Sequence, residues 1–304
     1  MTGSQDFGAD PRNANALVYV NGRLVPRADA VVSVFDAGFA LGDGIWEGIR
    51  FHRGCPLFLA AHLDRLRRGA AAIALDIGRS AGELEAAVLE TARANGMTHG
   101  AHLRLMITRG EKATINQDPR NALGRATLVI TAEFKTPSET LTKRGLALKT
   151  SSIRCPPASV FDMRINSHSR LPLILALQEV IEAGADEALM LDTEGFVSSC
   201  NATNFFWVKS GTVFTSDGQS CFQGITRGQV MSLCAEAGIP VRCGRFPPEE
   251  ARAADEAFVT GTFGGVTPVR EIDGHAMPAT PGALTRRITA LYNALKDREA
   301  RLAA

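Results

Sequence analysis

The stretch FDMRINSHSRLPLILALQEVIEAGADEALMLD, residues 161–192, carries the most decisive pattern in this chain. Ser169 is a capping residue type, because its hydroxyl accepts from a free N–H of a helix's first turn, and Pro172 is tolerated in that turn. The spacing predicts a helix opening at Arg170, with Leu171, Ile174, Leu175 and the run Leu177–Ile181 as its apolar stripe and Gly184 as its stop. EALMLD (187–192) then reads as a strand. Asp192 and Gly195 supply turn chemistry, and FVSS (196–199) and NFFWVKSG (204–211) continue as a meander. A helix feeding a run of strands makes this half of the chain mixed α and β.

Upstream, LVYVNG (17–22) ends on Asn-Gly, a strong hairpin signal, and ADAVVSVFD (28–36) reads as a continuing strand with alternating β-branched residues. AAHLDRLRRGAAAI (60–73) has apolar residues at 63, 66, 70 and 73, a helical period, and AGELEAAVLETARANG (81–96) is a second amphipathic helix closing on Asn95-Gly96. AHLRLMITRG (101–110) and ATLVITAEF (126–134) alternate as strands, and TPSETLTKRG (136–145) reads as a crossing between domains. Downstream, FQGITRGQVMSLCAEAGI (222–239) predicts a glycine-opened, Thr-capped helix, and TPGALTRRITALYNAL (280–295) a closing one. The expected organisation is a disordered tail over 1–13, a small N-terminal domain over 14–136, a linker over 137–145 and a larger domain over 146–304.

With 33 basic against 32 acidic residues, the chain offers no basic field for nucleic acid. No apolar run reaches the ~20 residues of a membrane span. The cysteines at 55, 155, 200, 221, 234 and 243 have neither C-x-x-C nor metal-ligand spacing. They read as reduced, buried small hydrophobes, and so as a cytoplasmic protein with no metal. Gly42-Asp43-Gly44 lacks the G-x-G-x-x-G spacing of a nucleotide loop.

Taken together, GADEALMLD (184–192), Gly195, Val197, Asn204 and Phe206, with Leu171, Ala176 and Glu179 ahead of them, resemble the core of the class IV aminotransferases. These are the fold-type IV enzymes dependent on pyridoxal 5'-phosphate (PLP), including branched-chain and D-amino-acid aminotransferases and aminodeoxychorismate lyase. DAGFALGDGIWEGIR (36–50) is similar to another stretch of that family, departing from it at Trp46 and Leu41. The resemblance implies an α/β (α+β) fold with a small N-terminal α/β domain and a larger C-terminal β-barrel-like domain, assembled as a homodimer.

It also implies site residues. The H-L-x-R-L pattern at 62–66 carries a phosphate contact to Arg65, whose plain alternative is a solvated helix arginine. G-I-T-R (224–227) carries phosphate contacts to Ile225 N–H and to Thr226 N–H or Oγ, at a helix start suited to anions. T-G-T carries another to Gly261 or Thr262. Arg104 falls where branched-chain enzymes place a carboxylate-binding arginine, though a structural ion pair fits it nearly as well.

Two family positions are changed. The lysine that carries the cofactor falls on Asn166, and the glutamate facing the pyridine nitrogen falls on Ser199. An amide nitrogen is neither a nucleophile nor a useful base near neutral pH. A serine hydroxyl hydrogen-bonds the ring nitrogen but cannot offset its charge. Lys149 cannot be slid into register without breaking every downstream match. The expectation is a protein that binds PLP, pyridoxamine phosphate or another phosphate ligand non-covalently, with transamination absent or strongly impaired. The alternative is an active aminotransferase on a branched-chain-like amino acid or 2-keto acid, using a re-sited lysine or a lysine-free route assisted by His168, Ser167 or Cys200. Either way the expected partner is a small amino or keto acid or phosphate ligand, not nucleic acid or membrane.

Overall fold

The computed structural model describes residues 3–302. The chain forms two compact units, one of Ala9–Thr136, Ile165–Arg170 and Lys296–Ala304, the other of Met1–Gly8, Pro137–Arg164 and Leu171–Leu295. Neither is one continuous segment. In particular, the short run holding Asn166 groups with the N-terminal unit rather than with the helix and strands that follow it.

The N-terminal unit contains β1 (Leu17–Val20), β2 (Arg23–Pro26), α1 (Ala37–Leu41), β3 (Gly44–His52), β4 (Cys55–Pro56), α2 (Leu59–Ala72), α3 (Ala81–Ala94), β5 (Ala101–Thr108) and β6 (Thr127–Phe134). Its sheet runs β2-β1-β6-β5-β3-β4, antiparallel throughout. The hairpin predicted at Asn21-Gly22 joins β1 to β2, with both residues at positive φ, the conformation Asn and Gly tolerate best. Along β5, Leu103, Leu105 and Ile107 are fully buried and pack with Leu63 and Leu66 of α2 and Leu84 of α3. Each such leucine stabilises the unit by about 2 kcal/mol of apolar burial.

Two expectations fail here. Residues 28–36 are not a strand: Arg27–Asp29 turn as a 3-10 helix, and Val31, Val32 and Val34 are exposed, because no neighbouring strand takes up their backbone hydrogen bonds. Residues 3–13, expected as a disordered tail, are tied down. The Asn13 amide donates to Phe134 O at 3.0 Å and accepts from Phe134 N at 2.7 Å, and Phe7 bridges Pro137.

The C-terminal unit contains α4 (Glu139–Arg144), β7 (Leu146–Cys155), α5 (Leu171–Glu182), β8 (Glu187–Asp192), β9 (Val197–Cys200), β10 (Asn204–Lys209), β11 (Thr212–Ser216), α6 (Ile225–Glu236), β12 (Val241–Gly244), α7 (Pro248–Arg252), β13 (Glu256–Gly261), β14 (Gly265–Ile272), β15 (His275–Ala276) and, up to Leu295, α8 (Ala283–Leu302). The expected linker thus contains a short helix, α4. The sheet runs β12-β11-β10-β13-β14-β7-β8-β9, with β15 on β14. β10 and β9 lie far apart along that path, yet residues 201–203 join them and Cys200 N donates to Thr203 O at 2.9 Å. The sheet therefore curls back on itself, which is the barrel-like curvature expected. Phe205 and Trp207 stack in its core, ring centroids 5.6 Å apart.

α5 begins at Leu171, one residue later than predicted, and its buried face is not its most apolar one. Ala176 and Val180 are the buried residues, whereas Leu171, Ile174, Leu175 and Ile181 stand 42–63% exposed. Small side chains let the helix lie close on the sheet, and the large ones are turned away from it.

Candidate functional site

In the N-terminal unit the site is built where residues 165–170 dock along β3. Trp46 N donates to Asn166 O at 2.9 Å, His168 N donates to Gly44 O at 2.9 Å, and Ile45 and Ser167 form an antiparallel bridge. The Trp46 indole N–H donates to Ser167 O at 3.1 Å. This backbone pairing fixes the position of Asn166, which is 6% exposed. Its amide is engaged at both ends: Nδ2 donates to Trp46 O at 2.5 Å, and Oδ1 accepts from Arg170 Nη2.

Two arginines stand at the Trp46 ring. The guanidinium carbon of Arg104 lies 4.1 Å from its centroid and that of Arg170 lies 5.5 Å away, both within cation–π range. Arg104 is exposed on β5, and among the described residues it forms no salt bridge; the ion-pair alternative for it is not what the structure shows. Period-2 alternation puts Glu47 on the opposite face of β3 from Trp46. Glu47 is fully buried and accepts from Arg65 Nε at 2.8 Å and Nη2 at 2.5 Å, and is 2.7 Å from His62 Nδ1. Burial pushes its carboxyl up, but hydrogen bonds from Arg65 and His62 outweigh that and hold it below the usual glutamate value. Arg65 is thus no solvated helix arginine; its side chain is 10% exposed.

His168 and Ser167 are structural in this arrangement. His168 Nε2 is 3.1 Å from Ile45 O, so that nitrogen carries the proton and donates. Burial lowers its pKa although this hydrogen bond opposes the shift. Ser167 Oγ accepts from Ser169 N at 2.9 Å.

The C-terminal unit gathers the other positions. Ser199 Oγ donates to Thr203 O at 2.8 Å and accepts from Asn204 Nδ2 at 3.3 Å. Asn204 also donates to Phe222 O at 2.6 Å and accepts from Gly224 N at 3.2 Å, tying the start of β10 to the turn before α6. A Cβ on Gly224 would fall 2.3 Å from Asn204 Oδ1, so any larger residue there must displace the Asn204 amide. α6 opens at Ile225 after Gly224, with no side-chain cap. Thr226 is therefore not the predicted cap: it lies one residue inside the helix, buried, with Oγ1 3.4 Å from the Tyr292 hydroxyl. The uncapped first turn leaves backbone N–H groups without intrahelical partners, at the positive end of the helix dipole.

Asn204 pairs across to Thr260 on β13, which places Gly261 next to it, with Thr262 following in the turn to β14. A Cβ on Gly261 would sit 3.4 Å from Thr203 Cγ2. Ser199, Ile225, Thr226, Gly261 and Thr262 therefore belong to this unit, and Arg65, Arg104 and Asn166 to the other.

Cys200 is buried, and burial, with Glu187 nearby, pushes its thiol well above the usual value, which makes it a packing residue and not a nucleophile. Five of the cysteines are buried as expected; Cys243 is exposed.

Sequence reasoning missed Glu47, Arg170 and Glu187. The signal for Glu47 was a carboxylate inside the strand GIWEGIRFH. Glu187 is a buried acid that accepts from Thr203 Oγ1 at 2.6 Å, and burial raises its pKa. Among the described residues no group of three or more His, Cys, Asp or Glu is placed to hold a metal ion, and no helix is long and apolar enough to cross a membrane.

The family described as amino-transferase class IV matches residues 44–272. Branched-chain-amino-acid aminotransferase-like protein 2 of Arabidopsis thaliana is 38% identical over 288 residues, covering 94% of this chain and 51% of that protein. The chain thus spans about half the length of that relative. The branched-chain-amino-acid aminotransferase of Pseudomonas aeruginosa is 33% identical over 287 residues, covering 91% of this chain and 92% of that protein. Among solved structures, the branched-chain aminotransferase of the thermophilic archaeon Thermoproteus uzoniensis with norvaline superposes with a TM-score of 0.84 at 34% identity, covering 91% of this chain and 93% of that one.

Proposed function

Because this chain belongs to the class IV aminotransferases, we propose that it binds PLP, pyridoxamine phosphate or another phosphate ligand without a covalent bond, and that transamination is absent or strongly impaired. The observation that carries this is Asn166: an amide with no nucleophilic lone pair, its oxygen on Arg170 and its nitrogen on Trp46 O. The donor set fits a phosphate. The uncapped start of α6 offers the N–H groups of Ile225 and Thr226 together with the Thr226 hydroxyl, and Gly224 keeps the approach free of a Cβ. Gly261 and Thr262, in the turn to β14, are further proposed contacts of this unit, and Arg65, in the other unit, is proposed as a phosphate contact in its own right. When bound, a pyridoxal cofactor supplies an electron sink for charge developing on a substrate. Ser199 does not fit the matching task of holding the pyridine nitrogen protonated, since its proton is given to Thr203 O and it carries no charge.

A second reading rests on Arg104. Exposed and stacked on Trp46, it suits a ligand carboxylate, and so an amino or 2-keto acid of the branched-chain kind turned over by a re-sited lysine or a lysine-free route. The exposed large apolar residues Val31, Val34 and Phe39 on one unit and Leu171 and Ile174 on the other favour a homodimer, since such surface is usually covered. The unpaired cysteines favour a reducing compartment such as the cytoplasm.

Titrating the full chain with PLP and following the visible spectrum tests the proposal. Saturable binding that Arg65→Ala or Thr226→Ala weakens by tenfold or more is the expected result. Binding unchanged in both variants would overturn the phosphate assignment.

A further inference from the structure

We propose that Glu187 is a positioning residue: by holding Thr203 it fixes the turn at 201–203, and through that turn the Ser199 hydroxyl and the Asn204 amide that frame the opening of α6. The consequence for a ligand rests on the phosphate reading of that helix start; the hydrogen-bonded chain itself does not. All the residues concerned lie in the C-terminal unit.

Glu187 stands at the start of β8, 1% exposed, ahead of the buried apolar run at 188–191. A buried carboxyl is costly unless hydrogen bonds offset its lost hydration. Burial raises its pKa, against the opposing pull of Ser4, Thr203 and the Ala202 N–H. An apolar side chain would avoid that cost, so the acid is explained by what it holds. Its Oε1 accepts from Thr203 Oγ1 at 2.6 Å. That bond decides which way a stiff, β-branched side chain turns. The hydroxyl goes to β8, and the methyl is left facing Gly261, where a Cβ would sit 3.4 Å from Thr203 Cγ2.

The carbonyl of the same residue is the next link. Thr203 O accepts from Ser199 Oγ at 2.8 Å and from Cys200 N at 2.9 Å. Ser199 Oγ accepts in turn from Asn204 Nδ2 at 3.3 Å. Asn204 donates to Phe222 O at 2.6 Å and accepts from Gly224 N at 3.2 Å. Contacts therefore run without a break from a buried acid on β8 to the residue ahead of Ile225.

The turn has a separate hold at its other end. Asn201 N donates to Ala188 O at 3.1 Å, and Asn201 Oδ1 accepts from Ala188 N at 2.9 Å. Entry into the turn is secured by Asn201 and exit from it by Glu187. Losing the Glu187 bond frees Thr203 and Asn204 while β8 and β9 stay paired, which makes the effect local rather than global.

The test is amide hydrogen exchange of the full chain, read on the peptide spanning 222–228. Beside it are measured the affinities for PLP and for pyridoxal, the same ring without the phosphate. Thr203→Val keeps the shape of the side chain and removes its donor; Glu187→Leu removes the acceptor. In each, exchange over 222–228 is expected to rise at least about fivefold, the worth of one hydrogen bond. The preference for PLP over pyridoxal is expected to fall by a similar factor, which a merely structural acid would not cause. Thr203→Ser and Glu187→Gln, which keep donor and acceptor, should stay near the unmodified chain. The Thr203→Val, Glu187→Leu double variant should do no more than either single one, because both break the same bond. Faster exchange at 222–228 in a chain that binds PLP and pyridoxal equally would uphold the positioning role and overturn the phosphate reading. The proposal is overturned by unchanged exchange at 222–228 in folded Thr203→Val and Glu187→Leu, or by a PLP preference that both leave intact. Exchange that rises equally along the whole chain, with a lowered melting temperature, would overturn it as well.

Discussion

The two candidate regions of this molecule are built from different material. The start of α6 and its neighbours Asn204 and Gly261 offer a ligand backbone N–H groups, shaped by Gly224, where a side chain would run into Asn204 Oδ1. The docked run at 165–170 offers side chains: Asn166, Arg170, Trp46 and Arg104. A site made of backbone survives most substitutions nearby, because nearly every residue carries the same N–H. A site made of side chains changes its chemistry with one residue. On the proposed reading, the contrast would let a chain keep a phosphate-type helix start while Asn166 stands as an amide in the side-chain region.

The largest expected effect comes from behind the side-chain region, on the face of β3 opposite Trp46. Glu47→Gln leaves Arg65 and His62 facing a neutral group in a buried place, and a cost of about 3–4 kcal/mol is expected in chemical denaturation. The pH dependence follows. Glu47's folded pKa lies below its ordinary 4.5, so its contribution is fully present above that value and is lost as pH falls through the lowered one. The variant should lack that part of the acid limb; identical acid unfolding of both proteins would show the triad to be unimportant.

A smaller effect breaks the backbone region. Gly224→Ala is expected to cost about 2 kcal/mol, because the new methyl group meets Asn204 Oδ1 and the amide must give up hydrogen bonds to move. PLP affinity should fall with it. Full stability and affinity in this variant would mean the helix start is looser than its contacts indicate.

Asn166→Lys sharpens the comparison. The new amine lies beside Arg170, whose charge favours the neutral, nucleophilic form. Covalent PLP capture is expected, with little turnover because Ser199 still supplies no carboxylate. Normal transaminase rates in that single variant would contradict the role given to Ser199.

The smallest effect is expected on the outer face of α5. Ile174→Ser should change monomer stability by about 0.5 kcal/mol or less, while lowering dimer affinity in sedimentation if a second copy covers that face. A large loss of stability without change of association would show the face to be packed within the chain.

The sequence made the local elements legible where one face is buried: β5 alternates, α2 repeats its apolar positions, and Asn21-Gly22 turns a hairpin. It was less informative where partners lie far along the chain. Asn166 meets Trp46 across 120 residues, and no local pattern announces that contact or the hydrogen bond to Arg170. The α5 stripe was misread because hydrophobicity alone does not tell a helix face against its own sheet from one turned outward. Thr226 was misread as a cap because glycine, with no side chain to signal it, takes that position. Asn13 escaped notice because a polar residue in a short N-terminal run looks solvated until its strand partner is known.

The central claim is that this chain holds its ligand without a covalent bond, and one measurement meets it directly. The full chain is mixed with PLP, reduced with borohydride and weighed intact. An unchanged mass, from protein whose visible spectrum shows saturable binding, is the predicted result. A single stoichiometric adduct would contradict it, and peptide mapping would then identify the lysine that has taken over the position Asn166 occupies.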